Sequence, residues 1–200
     1  MSDARSFTTG LVLAAGRSSR LGQPKQLLEY RGRTLLDASL DVARRCDFDQ
    51  RLVALGGAGD DVRAAVELDG FIAVDNVHYT SGCSSSIVAA LDEVDPRADA
   101  LVLMLGDQPG VSPDAVAALC DSCEHSPASI GVCRYDDGRG HPFWFASSTF
   151  DALRALQGDK AVWKLLESGA WPVVEVQVDG PVPLDVDTWD DYHALLGSDA

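Results

Sequence analysis

Short, continuous apolar runs alternate along this chain with segments whose apolar positions recur at helical spacing. Leu11–Ala15, Leu52–Leu55, Phe71–Val74 and Ala100–Leu105 are apolar on successive residues, the pattern of strands buried on both faces. Thr34–Arg45 places Leu35, Leu36, Leu40 and Val42 mostly on one side behind a Thr34 cap and predicts a helix. Helices are also predicted over Asp60–Leu68 and over Ser84–Val94, the latter with Ile87, Val88 and Leu91 inward. Ser112-Pro113-Asp114 opens another, with Ser112 as cap and proline in the first turn.

Ser129–Cys133 and Pro142–Phe145 read as strands around a charged loop, Tyr135–Gly140. Thr149–Leu156 and Lys160–Leu166 read as helices, Val173–Val178 as a strand, and Thr188 starts a last helix after a Pro-bounded run, Val182–Val186. No linker, low-complexity tract or internal repeat interrupts this order. The expectation is one α/β domain spanning residues 1–200, a doubly wound, mostly parallel sheet. Ligands of such sheets bind at the carboxyl ends of the strands, where Gly16 and Asp107 both fall.

Composition narrows the function. The chain has 200 residues, 46% of them hydrophobic, and a formal net charge of −15. A broad basic surface for nucleic acid is excluded. No stretch is long and apolar enough for a membrane span, and Met1–Gly10 lacks the apolar core of a signal peptide. Five cysteines suit reduced thiols better than a disulfide framework, so the expected location is cytoplasmic. Cys120 and Cys123 have CxxC spacing without a partner motif and read as two thiols near a helix end, ahead of a metal or redox site.

Against this acidic background, five of the 16 basic residues (Arg17, Arg20, Lys25, Arg31, Arg33) crowd positions 17–33. They begin where the first strand runs into Gly16-Arg17-Ser18-Ser19-Arg20-Leu21-Gly22-Gln23-Pro24-Lys25. A glycine lets backbone N–H groups approach an anion, and the cations complete a phosphate cradle. Gly16 and Gly22 lie six apart with Gln23 next, which excludes a P-loop, and no G-x-G-x-x-G follows the strand.

Asp107, at the end of Leu101–Gly106, suits Mg²⁺, which shares carboxylates with substrate phosphates; capping the turn before Pro109 is the alternative. Asp185 and Asp187 have the period-2 spacing of one face of a short strand, although Asp187 also suits a helix cap. Ser84-Ser85-Ser86 opens a helix and suits either an anion or simple capping. Gly138–Pro142 reads as a flexible turn that carries Arg139 and His141, the latter functional or merely exposed. There is no G-x-S-x-G elbow, and neither His141 nor Cys83 has an evident partner for nucleophilic catalysis.

Leu13 through Lys25 resembles the LAAGxSxRxGxxK signature of MobA-like nucleotidyltransferases, in particular the molybdenum cofactor cytidylyltransferase (MocA-type) branch. Asn76–Ser86, Gly106-Asp107-Gln108-Pro109, Gly140-His141-Pro142, Gly158-Asp159 and Asp185-Val186-Asp187-Thr188 resemble further motifs of that branch in the same order. The resemblance implies a nucleotide-diphospho-sugar transferase type of sheet. It also implies CMP transfer from CTP to molybdopterin cofactor with release of pyrophosphate. Lys25 and Asp107 would be catalytic. Leu13, Ala14, Ala15, Gly16, Arg17, Arg20, Lys25 and Ser84–Ser86 would bind nucleotide, Asp107 and Asp187 would hold Mg²⁺, and His141 and Asp159 would meet the acceptor. Guanylyl-transferring relatives carry LAGG where this chain has Leu13-Ala14-Ala15-Gly16, which points to CTP. A xanthine-dehydrogenase-type molybdoenzyme is the implied downstream partner.

The chain departs from the branch at Tyr79 (for Trp), Cys83 (for Met), Ala161 (for Gly) and Trp163 (for Arg). The last removes a bidentate anion clamp. A different phosphorylated acceptor, such as a sugar phosphate, is therefore the alternative. A nicotinamide-dependent oxidoreductase is another, since some MobA-like proteins of nicotine breakdown bear that description. A noncatalytic carrier is a third, which retention of Lys25, Asp107 and Asp187 argues against.

Overall fold

A computed structural model describes residues 5–158 and 160–198. Seven strands form one sheet: β1 (Thr8–Ala14), β4 (Gln50–Leu55), β5 (Ile72–Asp75), β6 (Ala100–Leu105), β7 (Ile130–Arg134), β8 (Arg139–Ala146) and β9 (Val173–Gln177). Their order is β5-β4-β1-β6-β8-β7-β9, and β8 alone runs against the rest. Two further strands, β2 (Glu29–Tyr30) and β3 (Arg33–Thr34), make a small hairpin. Its turn places Arg31 and Gly32 at φ 51° and 77°, the positive values that a tight two-residue hairpin demands. This hairpin is absent from the sequence reading.

Helices α1 (Leu35–Arg45), α2 (Gly59–Ala65), α3 (Cys83–Leu91), α4 (Pro113–Glu124), α5 (Phe150–Arg154), α6 (Ala161–Glu167) and α7 (Trp189–Gly197) complete the fold. Alternate residues of the central strands feed two cores. Val12, Val53, Val102 and Met104 pack with Leu36, Leu40, Val116 and Leu119 of α1 and α4. Leu11, Leu52, Leu101 and Leu103 pack with Ile87 and Leu91 of α3 and with Leu153, Val162 and Leu166. Continuous apolar strands follow from burial on both faces. The caps are as expected: Thr34 Oγ1 accepts from Asp37 N and Ser112 Oγ accepts from Ala115 N, each at 3.0 Å. The helix predicted over Thr149–Leu156 is instead a 3-10 turn, Ser147–Thr149, followed by the short α5.

Two further expectations are corrected. Gly138–Pro142 is not a flexible turn, because β8 begins at Arg139. The ladder shifts between Val132 and Cys133, so His141 and Pro142 sit in a bulge; that irregularity accommodates a proline inside a paired strand. Tyr135 Oη donates to His141 O at 2.7 Å and ties the bulge down. Residues 182–187 form no strand. The cysteines of the CxxC segment lie in the last turns of α4, where burial pushes both thiols up to about 12.

Candidate active site

Beyond β1 the chain leaves the sheet and must satisfy its backbone otherwise. Buried Gln26 does this: its Nε2 donates to Ala14 O at 2.6 Å and to Gly16 O at 3.2 Å. Ser18 adopts φ 51°. Its carbonyl accepts from Leu21 N and Gly22 N at 3.0 and 3.2 Å, and its Oγ accepts from Lys25 N at 2.9 Å. The loop is thus folded back so that Lys25, in a 3-10 turn (Lys25–Leu27), faces the strand ends.

The end of β6 lies beside that of β1, with Leu105 opposite Leu13. Gly106 N donates to Leu13 O at 2.9 Å. A Cβ on Gly106 would come within 2.9 Å of Leu36 Cδ1 and 3.1 Å of Leu13 O, so this close approach favours glycine. It delivers Asp107 to Lys25: Lys25 Nζ lies 2.5 Å from Asp107 Oδ2 and 2.9 Å from Asp187 Oδ1. Arg20 Nη2 lies 3.1 Å from Asp187 Oδ2.

Asp187 is held from two directions. Val186 is fully buried and anchors the segment. Thr188 and Asp191 form a capping box at the start of α7, and Asp187 N donates to Asp191 Oδ2 at 3.1 Å. Asp185 and Asp187, either side of Val186, both line the cleft. The alternation read from the sequence holds, although no ladder enforces it.

Burial opposes the Lys25 charge, but Asp107 and then Asp187 outweigh it and hold the ammonium above its ordinary pKa. Burial also works on Asp187, yet Lys25 and Arg20 keep its carboxyl below the usual range. The more deeply buried Asp107 is pushed up, first by desolvation and further by Asp185 and Asp187, against the pull of Lys25. In this coupled pair the ammonium is the securely charged member, and Asp107 relies on it for its own charge.

These residues fit a hard divalent cation. The side-chain donors are carboxylate oxygens, and an ammonium already bridges two of them. Among the described residues no group of three or more His, Cys, Asp or Glu side chains could hold a metal ion. A cation here would therefore draw further oxygens from a bound phosphate or water.

The cleft has a volume of about 750 Å³. Leu13–Arg20 and Lys25 line one side. On the other, β8 pairs with β6 and sets Phe143 opposite Leu103. His141 and Phe143 have ring centroids 4.2 Å apart, and Trp163 of α6 meets Phe143 edge to face at 5.1 Å. Asp107 thus stands between a basic loop and an aromatic wall. Burial depresses the His141 pKa to about 3, so its ring is neutral near pH 7.

Of the residues singled out from sequence, Leu13, Ala14, Ala15, Gly16, Arg17, Arg20, Lys25, Ser86, Asp107, His141 and Asp187 line this cleft. Ser84 and Ser85 do not; they line a separate cavity beyond α3. There Asn76 Nδ2 donates to Ser85 Oγ and Ser86 Oγ at 2.8 and 2.9 Å, and Ser84 N donates to Gly158 O at 3.4 Å. Their hydroxyls and N–H groups serve the packing of the helix start. Arg31 and Arg33 belong to the hairpin, with Arg31 over the Tyr30 ring and Arg33 3.6 Å from Asp41. The basic cluster therefore divides between cleft and hairpin. Asp159 lies outside the described residues. Gln26, Phe143 and Val162 escaped the sequence reading, since nothing local marks a buried amide or a core aromatic as cleft residues.

The chain matches the MobA-like NTP transferase domain over residues 10–174 and belongs to that family of nucleotidyltransferases. Nicotine blue oxidoreductase of Paenarthrobacter nicotinovorans is 31% identical over 198 residues, spanning 94% of this chain and 96% of that protein. Purine catabolism protein PucB of Bacillus subtilis is 28% identical over 200 residues, with the same coverage of each chain. The crystal structure of Rv0371c from Mycobacterium tuberculosis superposes with a TM-score of 0.90 at 55% identity, covering 97% of this chain and 100% of that one. A complex of Rv0371c with manganese gives a TM-score of 0.85 at 52% identity, covering 96% and 100%. A nucleotidyl transferase from Methanothermobacter shares the fold at 22% identity and a TM-score of 0.79, covering 97% and 98%.

Proposed function

We propose that this nucleotidyltransferase moves CMP from CTP to the terminal phosphate of a molybdopterin-type cofactor and releases pyrophosphate. The observation that carries the reading is the Lys25–Asp107–Asp187 cluster, set beside the Gly16 loop and facing an aromatic wall. The loop and its cations suit a triphosphate. Ala14 and Ala15 at the end of β1 are the residues that favour CTP within the resemblance to cytidylyltransferases.

In this reading Gly16 N–H, Arg17, Arg20 and Lys25 hold the triphosphate. Asp107 and Asp187 would hold Mg²⁺, which when bound supplies charge neutralisation at the reacting phosphate. The manganese complex of Rv0371c supports a hard divalent cation for the family fold. The acceptor phosphate oxygen attacks the α-phosphorus in line; the new P–O bond forms as the bond to pyrophosphate breaks. No covalent enzyme intermediate is needed. The protein contributes orientation and fixed charge. Trp163 and neutral His141, both backed by the buried Phe143, would take the flat body of the acceptor against the β8 side of Asp107.

No helix among the described residues is long and apolar enough to cross a membrane; the location in this reading is the cytoplasm. A xanthine-dehydrogenase-type molybdoenzyme would receive the product. Trp163, where the resemblance expects arginine, favours a second reading in which the same chemistry serves another phosphorylated acceptor.

The test is pyrophosphate release from each labelled nucleoside triphosphate with Mg²⁺ and molybdopterin cofactor. CTP-selective turnover, lost in Asp107→Ala, is the expected result. CTP binding without turnover transfers the reading to another acceptor, and undiminished turnover in Asp107→Ala removes the metal assignment. Oxidation of a reduced nicotinamide in place of pyrophosphate release overturns nucleotidyl transfer.

A further inference from the structure

Lys25 holds two carboxylates at once, and those carboxylates are the ones a divalent cation would use. We infer that Lys25 is an internal counter-cation. Its ammonium occupies the cation position between Asp107 and Asp187 until a metal–nucleoside triphosphate complex enters, and is then passed to the phosphates. This rests on the reading of the cleft as a metal and triphosphate site, and it adds which species the site takes up: the metal–nucleotide complex, ahead of the free ion.

The geometry sets the two cations in competition. One ammonium lies 2.5 Å from Asp107 Oδ2 and 2.9 Å from Asp187 Oδ1, so both oxygens are within reach of a single small ion. A magnesium-sized ion that bridged the two carboxylates there would bind those oxygens at about 2.1 Å, closer than the ammonium sits. To admit it, the ammonium must leave. The Lys25 side chain is only 14% exposed, so water replaces its partners poorly. Around it, Asp107 and Asp187 are the anions that stabilise its charge. A free metal ion therefore takes both partners away and leaves a buried ammonium uncompensated, a costly state. A triphosphate lying along Gly16–Arg20 restores an anion to Lys25 as the metal displaces it.

Arg20 makes the exchange local. It meets Asp187 through the other carboxylate oxygen, Oδ2, at 3.1 Å, while buried Val186 and the Thr188–Asp191 capping box fix the Asp187 backbone, so Asp187 stays in the cleft when Lys25 departs. Asp107 is fixed through Gly106 and its contact with Leu13. The ligands stay and the ammonium moves. Metal and nucleotide thereby bind with positive coupling, which acts equally on both affinities.

The experiment is calorimetric titration with Mn²⁺ of the wild type, Lys25→Met and Asp107→Asn, each with and without CTP. Lys25→Met should bind Mn²⁺ alone about tenfold more tightly than wild type, about 1.4 kcal/mol. CTP should raise Mn²⁺ affinity strongly in wild type and little in Lys25→Met. Equal or weaker Mn²⁺ binding by Lys25→Met overturns the inference, as does retention of Mn²⁺ affinity in Asp107→Asn. A second readout uses wild type alone, in case Lys25→Met folds poorly. Brief acylation with acetic anhydride, read by mass spectrometry, should label Lys25 more when Mn²⁺ is present without nucleotide. Unchanged or reduced labelling counts against displacement. Increased labelling with no effect of CTP on Mn²⁺ affinity keeps the counter-cation and removes CTP as the nucleotide.

Discussion

The Trp163 indole meets the Phe143 ring edge to face, with centroids 5.1 Å apart and planes at 90°. Phe143 is fixed in β8 and fully buried, so it holds Trp163 at the cleft wall. Trp163→Ala should raise the KM for the acceptor about tenfold, since an aromatic contact contributes about 1.4 kcal/mol. The KM for the nucleotide should hardly move. Trp163→Arg tests the same wall in the opposite sense: better acceptor binding in that variant would show that an ionic clamp, and not stacking, suits the acceptor.

Lys25→Ala and Asp107→Ala should each lower kcat by about 10²–10³-fold, the first because a cation aimed at developing phosphate charge is lost, the second because the cation that neutralises that charge loses a ligand. Steady-state pyrophosphate release measures it. A change confined to KM would indicate that the residue binds ground state and transition state alike.

Gln26→Leu should cost about 1 kcal/mol of stability, because buried Ala14 and the exposed Gly16 both lose the amide that their carbonyls share. Urea unfolding measures this. The nucleotide should also bind more weakly, as the Gly16 loop loses the amide that shapes it. Unaltered stability would mean that the loop is held by Ser18 and Lys25 alone.

His141 provides the pH signature. Its pKa in the folded protein is about 3, against an ordinary 6.5, because burial disfavours the imidazolium. Between those values the unfolded chain binds a proton that the native state does not, so stability rises with pH through this window and falls as pH drops through it. His141→Gln should reduce the difference in unfolding free energy between pH 7 and pH 5 by about 2 kcal/mol. In NMR spectra the His141 ring should not titrate between pH 5 and pH 8.

Much of the fold was legible along the chain. Ala100–Leu105 is read to the residue, as are the Thr34 and Ser112 caps, because continuous apolar runs and capping hydroxyls are local signals. Others were not local. The Arg31-Gly32 hairpin is too short to show an alternating pattern. His141 falls in polar company that suits a turn, whereas a bulge builds it into β8 and burial neutralises it. Ser84 and Ser85 lie beside Ser86 in the chain, yet the rotation of α3 turns them toward a different cavity.

By itself the sequence determined the alternation of strands and helices, the glycine loop at the end of the first strand and the residue types on which the proposed phosphate and cation site rests. Those follow from periodicity and side-chain chemistry, which act over a few neighbouring residues. Tertiary structure alone decided that Asp187, 162 positions from Lys25, shares its ammonium with Asp107. It also decided which three of the five clustered cations face the cleft and that an aromatic wall stands across from them. Such relationships depend on strand order, on the packing of α6 against α3 and β8, and on that of α7 against α1 and the β2–β3 hairpin, which bring residues remote in the chain into one low-dielectric cleft.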